Sequence, residues 1–263
     1  MPNFLSKIIE HKKEEIAEAR KKCPEKQLKS KAALSPKKRP FFKQLEKPGA
    51  AGANIIAEIK RASPSKGNIR IDLDSAAYAA EYQKGGAATL SVLTDRSFFK
   101  GCFDDLKKAR DATTLPVLRK DFLISSYQIY ESSVIGADAV LLIARILSKI
   151  ELRDLLMLSG ELGMDALVEI NSEKDLESAN FAGARLIGIN NRNLGSFQTD
   201  IETSVRLVSL LDQDQVAVAA SGIKARHDME RIKGSGIWNF LIGESIVRAK
   251  DPCSFIKSLL EPA

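Results

Sequence analysis

From Asn54 onward the chain repeats one pattern: a short apolar, β-branched run, a polar or glycine-containing turn, then a longer amphipathic stretch. The runs are NIIAEIK (54–60), ATLSVLTD (88–95), PVLRKDF (116–122), AVLLIAR (139–145), ALVEI (166–170), LIGINNR (186–192), VAVAASG (216–222) and FLIGES (240–245). Successive starts lie 34, 28, 23, 27, 20, 30 and 24 residues apart, the length of a strand plus a returning helix and far beyond a hairpin. Gly86-Ala87, Gly136-Ala137, Gly183-Ala184 and Gly236-Ile237 stand just ahead of runs, and each reads as a helix end turning into the next strand. Eight consecutive βα units in about 200 residues predict a (β/α)8 barrel, and the count fits that fold better than an open doubly wound sheet.

Residues 1–50 fall outside the repeat and 51–263 carry it, within one structural domain overall. The stretch NFLSKIIEHKKEEIAEARKK reads as an amphipathic helix with Phe4, Leu5, Ile8, Ile9 and Ile16 on its apolar side. It is expected to pack on the barrel as a lid or buttress, followed by a short linker from Ser35-Pro36 to Pro40.

Composition narrows the class. With 263 residues, 44% hydrophobic and 28% charged, the chain buries a large core, and disordered, collagenous and disulfide-scaffold classes are excluded. Three cysteines far apart (Cys23, Cys102, Cys253) and two histidines (His11, His227), with no CxxC, argue against a metal site. No apolar run approaches a membrane span, and charge stands where a signal peptide needs its apolar segment, so a cytoplasmic protein is expected. The net charge of +6 is local: residues 1–50 carry a net of +8 and the remainder −2. Glutamates interleave with the lysines of that arm at helical spacing, which reads as a solvated helix face and argues against a nucleic-acid-binding module.

In such a barrel the C-terminal strand ends build the active site, and here they are polar. The first run ends at Glu58 and Lys60, the third at Lys120, the fifth at Glu169, the sixth at Asn190 and Arg192, the seventh at Ser221 and the eighth at Ser245. Ile56, Glu58 and Lys60 share one side of their strand, as do Leu118, Lys120 and Phe122, and Leu167 with Glu169. Charges inside a closed barrel are costly unless they meet at its open mouth. Two lysines and two carboxylates converging there point to chemistry more than to structural ion pairs. Ser221-Gly222 and Gly243-Glu244-Ser245 each set small residues and backbone N–H groups ahead of a helix, which suits a phosphate dianion.

The segment IIAEIKRASPSKG, with RKDF, VEIN, GINNRNL, SGI and LIGES following at barrel spacing, resembles the indole-3-glycerol-phosphate synthase family over nearly the whole chain. The resemblance implies a (β/α)8 barrel with an extra N-terminal helical segment over the mouth, no metal and no organic cofactor. It implies the carboxy-lyase reaction of tryptophan biosynthesis, closing 1-(2-carboxyphenylamino)-1-deoxyribulose 5-phosphate to indole-3-glycerol phosphate with loss of CO2 and water. A phosphoribosylanthranilate isomerase would instead use a Cys and Asp pair at strand ends, which none of the runs has.

By this resemblance Lys120 is the general acid for closure, with Lys60 beside it either binding substrate anions or donating the proton during dehydration. A lysine pKa near about 10.4 is high for this work, and a second ammonium nearby would lower it. Glu169 matches the general base, Glu58 with Asn190 would hold the hydroxyl and the developing charge, and Ser221 completes the catalytic set. Backbone at Gly222, Gly243 and Glu244 with the Ser245 side chain would bind phosphate, helped by Ser63, and Arg192 joins the substrate-binding set. Phe98 or Phe99, Phe122, Leu141 and Leu194 would flank the anthranilate ring. One departure stands out: where the family reads ESG the chain has Ala220-Ser221-Gly222, which predicts lysines with less negative charge nearby and an activity optimum shifted toward acid. The expected partner is a small phosphorylated substrate. Neither nucleic acid nor membrane is expected, and the protein is read as a monomer with at most transient contact with other tryptophan-pathway enzymes.

Overall fold

The computed structural model describes residues 4–193 and 197–261. Eight parallel strands close into a barrel in chain order: β1 (Asn54–Ile59), β2 (Thr89–Leu93), β3 (Val117–Lys120), β4 (Ala139–Ile143), β5 (Asp165–Ile170), β6 (Leu186–Asn190), β7 (Val216–Ala220) and β8 (Asn239–Ile242). Register closes by pairing Ile56 with both Leu241 and Thr89. Every strand but β5, which ends at Ile170 as predicted, stops one to three residues short of its predicted run, and the residues beyond the ladder lead into the loops at the mouth.

Three helices precede the barrel: α1 (Phe4–Lys22), α2 (Glu25–Ala33) and α3 (Phe41–Leu45). Between and after the strands come α4 (Ser75–Gly85), α5 (Phe103–Asp111), α6 (Ser126–Val134), α7 (Lys149–Glu161), α8 (Glu173–Ala182), α9 (Glu202–Val208), α10 (Arg226–Lys233), α11 (Glu244–Arg248) and α12 (Pro252–Leu260). α4 and α8 end on glycines in the left-handed region, Gly86 at φ +96° and Gly183 at φ +77°, which free the chain to reverse into the next strand; Gly136 and Gly236 share that hand.

Strand alternation makes two apolar layers. Outward residues such as Ile55, Val92, Val140 and Ile187 bury against the helices. Inward residues such as Ile56, Leu118, Leu141, Leu167, Val218 and Leu241 fill the barrel. The N-terminal segment reaches both ends of that inner layer. Leu5 and Ile8 of α1 join it at the mouth, and Phe41 and Leu45 of α3 join it with no exposed surface at the base.

Neither α2 nor α3 follows from the sequence pattern, which predicts one helix and a linker. α2 is a polar nonapeptide that buries only Leu28 and Ala32, packing with Ile16 against Tyr127 of α6. α3 is a single turn fixed by distant partners. The Leu45 carbonyl accepts from Trp238 Nε1 (3.0 Å) and Asn239 Nδ2 (3.1 Å), and the Phe42 amide donates to Asp165 (2.8 Å). The solvated-face reading of the arm fails at Lys12, which is 2% exposed because it points inward to carboxylates of the barrel.

Candidate active site

A cavity of about 820 Å³ opens at the C-terminal ends of the strands. Glu58, the last inward residue of β1, is buried; Lys60, just past the strand, reaches back to its Oε1 at 2.7 Å. Ser91 of β2 closes on the other carboxylate oxygen at 3.5 Å. Across the cavity Lys120 at the end of β3 faces Glu169 of β5 at 3.6 Å, and Asn190 Nδ2 of β6 donates to Glu169 Oε1 at 3.0 Å. Four charges of alternating sign thus share one mouth. Asn190 thus holds Glu169, while the partners of Glu58 are Lys60 and Ser91.

The electrostatics follow from those contacts. Burial works against the charge of Lys120, but Glu169 and Glu58 outweigh it and hold its pKa above the ordinary lysine value. The expected lowering of Lys120 by a second ammonium does not occur, because its carboxylate neighbours prevail. Burial likewise opposes ionisation of Glu58, and Lys60 with Lys120 overcomes it, keeping that carboxyl below the usual range. Both groups are therefore charged at neutral pH.

Ala220 is buried at the end of β7, in register with Asn190, and its methyl forms part of the cavity wall. Lys120 therefore has Glu169 and Glu58 as its negative neighbours here, with no carboxylate at position 220.

The loops after β7 and β8 form the opposite rim. Ser221 (φ +69°) and Gly222 (φ +81°) are consecutive left-handed residues, and at the serine this conformation costs about 1 kcal/mol or more. A Cβ on Gly222 would sit 2.7 Å from Thr199 Cγ2. Gly243 runs so close to β1 that a Cβ there would lie 2.6 Å from Glu58 Oε1. Ser245 Oγ donates to the Ile223 carbonyl at 2.9 Å, tying the two loops together. Behind Ser221-Gly222, Asp228 of α10 accepts from the Lys224 and Ala225 amides at 2.8 and 3.1 Å, which caps the start of that helix.

Ser63 lines the cavity from the β1 loop with a buried hydroxyl that has no hydrogen-bond partner among the described residues. Arg192 lines it too, and its guanidinium meets the Ser65 hydroxyl across the mouth. The apolar wall comprises Phe122, Phe99 and Leu141 under Leu5 and Ile8. Phe99 and Phe122 stand 6.1 Å apart at a tilt of 42°. Phe98 points instead to His11, edge to face at 5.8 Å. Leu194 lies outside the described residues.

All the other predicted catalytic and binding residues therefore line one cavity: Glu58, Lys60, Ser63, Lys120, Phe122 and Glu169 on one part of the rim, with Asn190, Arg192, Ser221, Gly222, Gly243, Glu244 and Ser245 on the rest. Sequence reasoning missed Lys66, Lys224 and Arg248, which add positive charge around the rim. Lys66 lay in plain view within SPSKG; the other two stand on a loop and a helix whose bearing on the mouth only the fold reveals.

A family model described as indole-3-glycerol phosphate synthase matches residues 5–259. The indole-3-glycerol phosphate synthase of Desulfosudis oleivorans is 57% identical over 261 residues, 99% of each chain. That of Syntrophobacter fumaroxidans is 50% identical over 252 residues, covering 96% of this chain and 95% of its own. Among solved structures a thiamine phosphate pyrophosphorylase from Pyrococcus furiosus matches with a TM-score of 0.61 at 14% identity, over 79% of this chain and 93% of its own, a likeness of fold alone.

Proposed function

Because the chain belongs to the indole-3-glycerol phosphate synthase family, we propose that its two lysine–carboxylate pairs divide the reaction between them. The enzyme is a carboxy-lyase of tryptophan biosynthesis: it closes 1-(2-carboxyphenylamino)-1-deoxyribulose 5-phosphate to indole-3-glycerol phosphate with release of CO2 and water. The observation that carries the division is the spacing, 2.7 Å for Lys60–Glu58 against 3.6 Å for Lys120–Glu169, within one cavity.

The ring carbon bearing the carboxylate attacks the ketone, the new C–C bond forms, and the carbonyl π electrons pass to oxygen. Lys120, held protonated by its carboxylates, gives that oxygen a proton; an alkoxide is more basic than the amine, so the transfer runs downhill even from a raised pKa. CO2 then leaves and its bonding electrons restore the aromatic ring. Loss of the hydroxyl as water needs a second proton, the role assigned to Lys60. Glu58 and Asn190 stabilise the cation that develops at nitrogen. Glu169, aimed by Asn190, removes the last ring proton. Phosphate binds between the Ser221–Gly222 loop and the Gly243–Ser245 turn, where Ser63 and Arg192 add donors, while Phe122 and Phe99 carry the aromatic ring.

Purified protein given the substrate should develop indole fluorescence. Lys120→Met and Glu169→Gln should each cut kcat by about 10² or more, the usual scale for a general acid or base. Turnover that merely tracks the folded fraction in both variants would return these pairs to a structural role. The reading extends to a cytoplasmic monomer: one chain supplies the whole cavity lining, and a phosphorylated substrate does not cross membranes unaided. No described helix is long and apolar enough to cross a membrane.

A further inference from the structure

Outside the reacting groups, α1 buries a cation near its middle: Lys12 is 2% exposed, as deeply covered as Arg119, with which it shares Asp121. Its Nζ lies 2.7 Å from Asp95, 3.0 Å from Asp121 and 2.8 Å from Glu15. Burial opposes the charge of Lys12, yet Asp121 and Asp95 outweigh it and raise its pKa above the ordinary lysine value. Asp121 is held down to about 2 by Arg119 and Lys12 against its own burial. These are permanent charges at any physiological pH.

The two carboxylates are not idle scaffolding. Asp95 accepts from the amides of Phe98 and Phe99 at 2.6 and 3.1 Å, which orients the Phe99 ring at the cavity wall. Asp121 accepts from the Phe122 amide at 2.9 Å and immediately follows Lys120. Leu5, Ile8 and Lys12 stand three and four residues apart, so they share one face of α1. The contact that fixes the ammonium therefore also fixes where the two apolar side chains sit above Phe99 and Phe122.

We propose that Lys12 is a positioning residue for the known reaction: it locks α1 in register over the mouth, so that Leu5 and Ile8 cover the substrate's aromatic ring against Phe99 and Phe122. The inference rests on placing that ring in this apolar slot. Asp121 keeps Arg119 and Thr94 when Lys12 is lost, at 3.2 and 2.6 Å, so the catalytic lysine beside it stays seated. The deficit then falls on substrate binding.

The test compares kcat and KM for Lys12→Met, Lys12→Arg, Lys12→Met with Asp95→Asn, and Ile8→Ala, with melting temperatures alongside. Lys12→Met should raise KM about tenfold and leave kcat within about threefold, while Lys12→Arg restores most of the loss by returning a cation to the carboxylates. The double variant relieves the unpaired buried charge, so its melting temperature recovers while its KM stays high. Recovery of both would make Lys12 a charge compensator only and overturn the proposal. So would a fall in kcat without a rise in KM, or an unchanged KM throughout. A raised KM in Ile8→Ala beside a normal one in Lys12→Met rejects the positioning role alone; normal values in both reject the apolar slot with it.

Discussion

Gly243→Ala separates the placement of Glu58 from its chemistry. The backbone there is not left-handed (φ −122°, ψ −70°), so the added methyl acts chiefly through what it touches. It would meet Glu58 Oε1 at 2.6 Å where ordinary contact begins at 3.4 Å, so the carboxylate must retreat by about 0.8 Å. Retreat along the ion pair stretches the 2.7 Å contact with Lys60 to roughly 3.5 Å, past hydrogen-bonding range. Misplacement on that scale costs roughly 10- to 100-fold in kcat. Because Glu58 also helps hold up the pKa of Lys120, its withdrawal lets that pKa fall, and the alkaline limb of activity moves to lower pH. Continuous indole fluorescence supplies kcat and KM across pH, and melting temperature with and without inorganic phosphate checks that fold and anion site survive. In a Glu58→Ala background the same methyl meets only the Cβ at position 58, at 3.1 Å, with no carboxylate to displace, and should cost less than about threefold more. Wild-type turnover in Gly243→Ala, or an equal loss with and without Glu58, would refute the reasoning.

Two further expectations concern the rim. Ala220→Glu adds a carboxylate to the wall that Lys120 already shares with Glu169 and Glu58, so the lysine pKa rises further and the alkaline limb moves up, since the acid is lost only as pH climbs through that pKa; a stationary limb with a large fall in melting temperature marks the new charge as merely buried. Inorganic phosphate should raise the melting temperature of the wild type and compete with substrate, and Ser245→Asp should abolish both effects by setting a like charge beside the Ser221–Gly222 loop. Unchanged protection in that variant moves the anion site elsewhere.

The barrel was legible because its signal is local and repeated. Eight β-branched runs at helical return lengths, and glycines before the strands, need no knowledge of distant contacts. The charged strand ends were equally plain, since a lysine or glutamate at the end of an apolar run has few other places to go. What stayed hidden was pairing. Glu58 finds Lys60 two residues away, while Asn190 finds Glu169 across a β-ladder, and spacing along the chain cannot rank those alternatives. α3 was illegible for the same reason, its single turn being held by partners nearly two hundred residues on. Lys12 looked like one more solvated lysine in a mixed-charge run; its partners sit at positions 95 and 121, and the helix face that turns toward them is known only once the barrel exists.

The placement of α3 at the base of the barrel sets an order on how the protein can be made. Phe41 and Leu45 leave the ribosome well before Trp238 and Asn239, which donate to the Leu45 carbonyl from 193 and 194 positions later. At roughly 5–20 residues per second that gap lasts about 10 to 40 seconds, during which two large apolar side chains have no pocket. The last strand must pair with the first before either can be buried. A turn synthesised before the barrel is thus seated only after its last strand, and through this interval the nascent chain offers chaperones a hydrophobic handle.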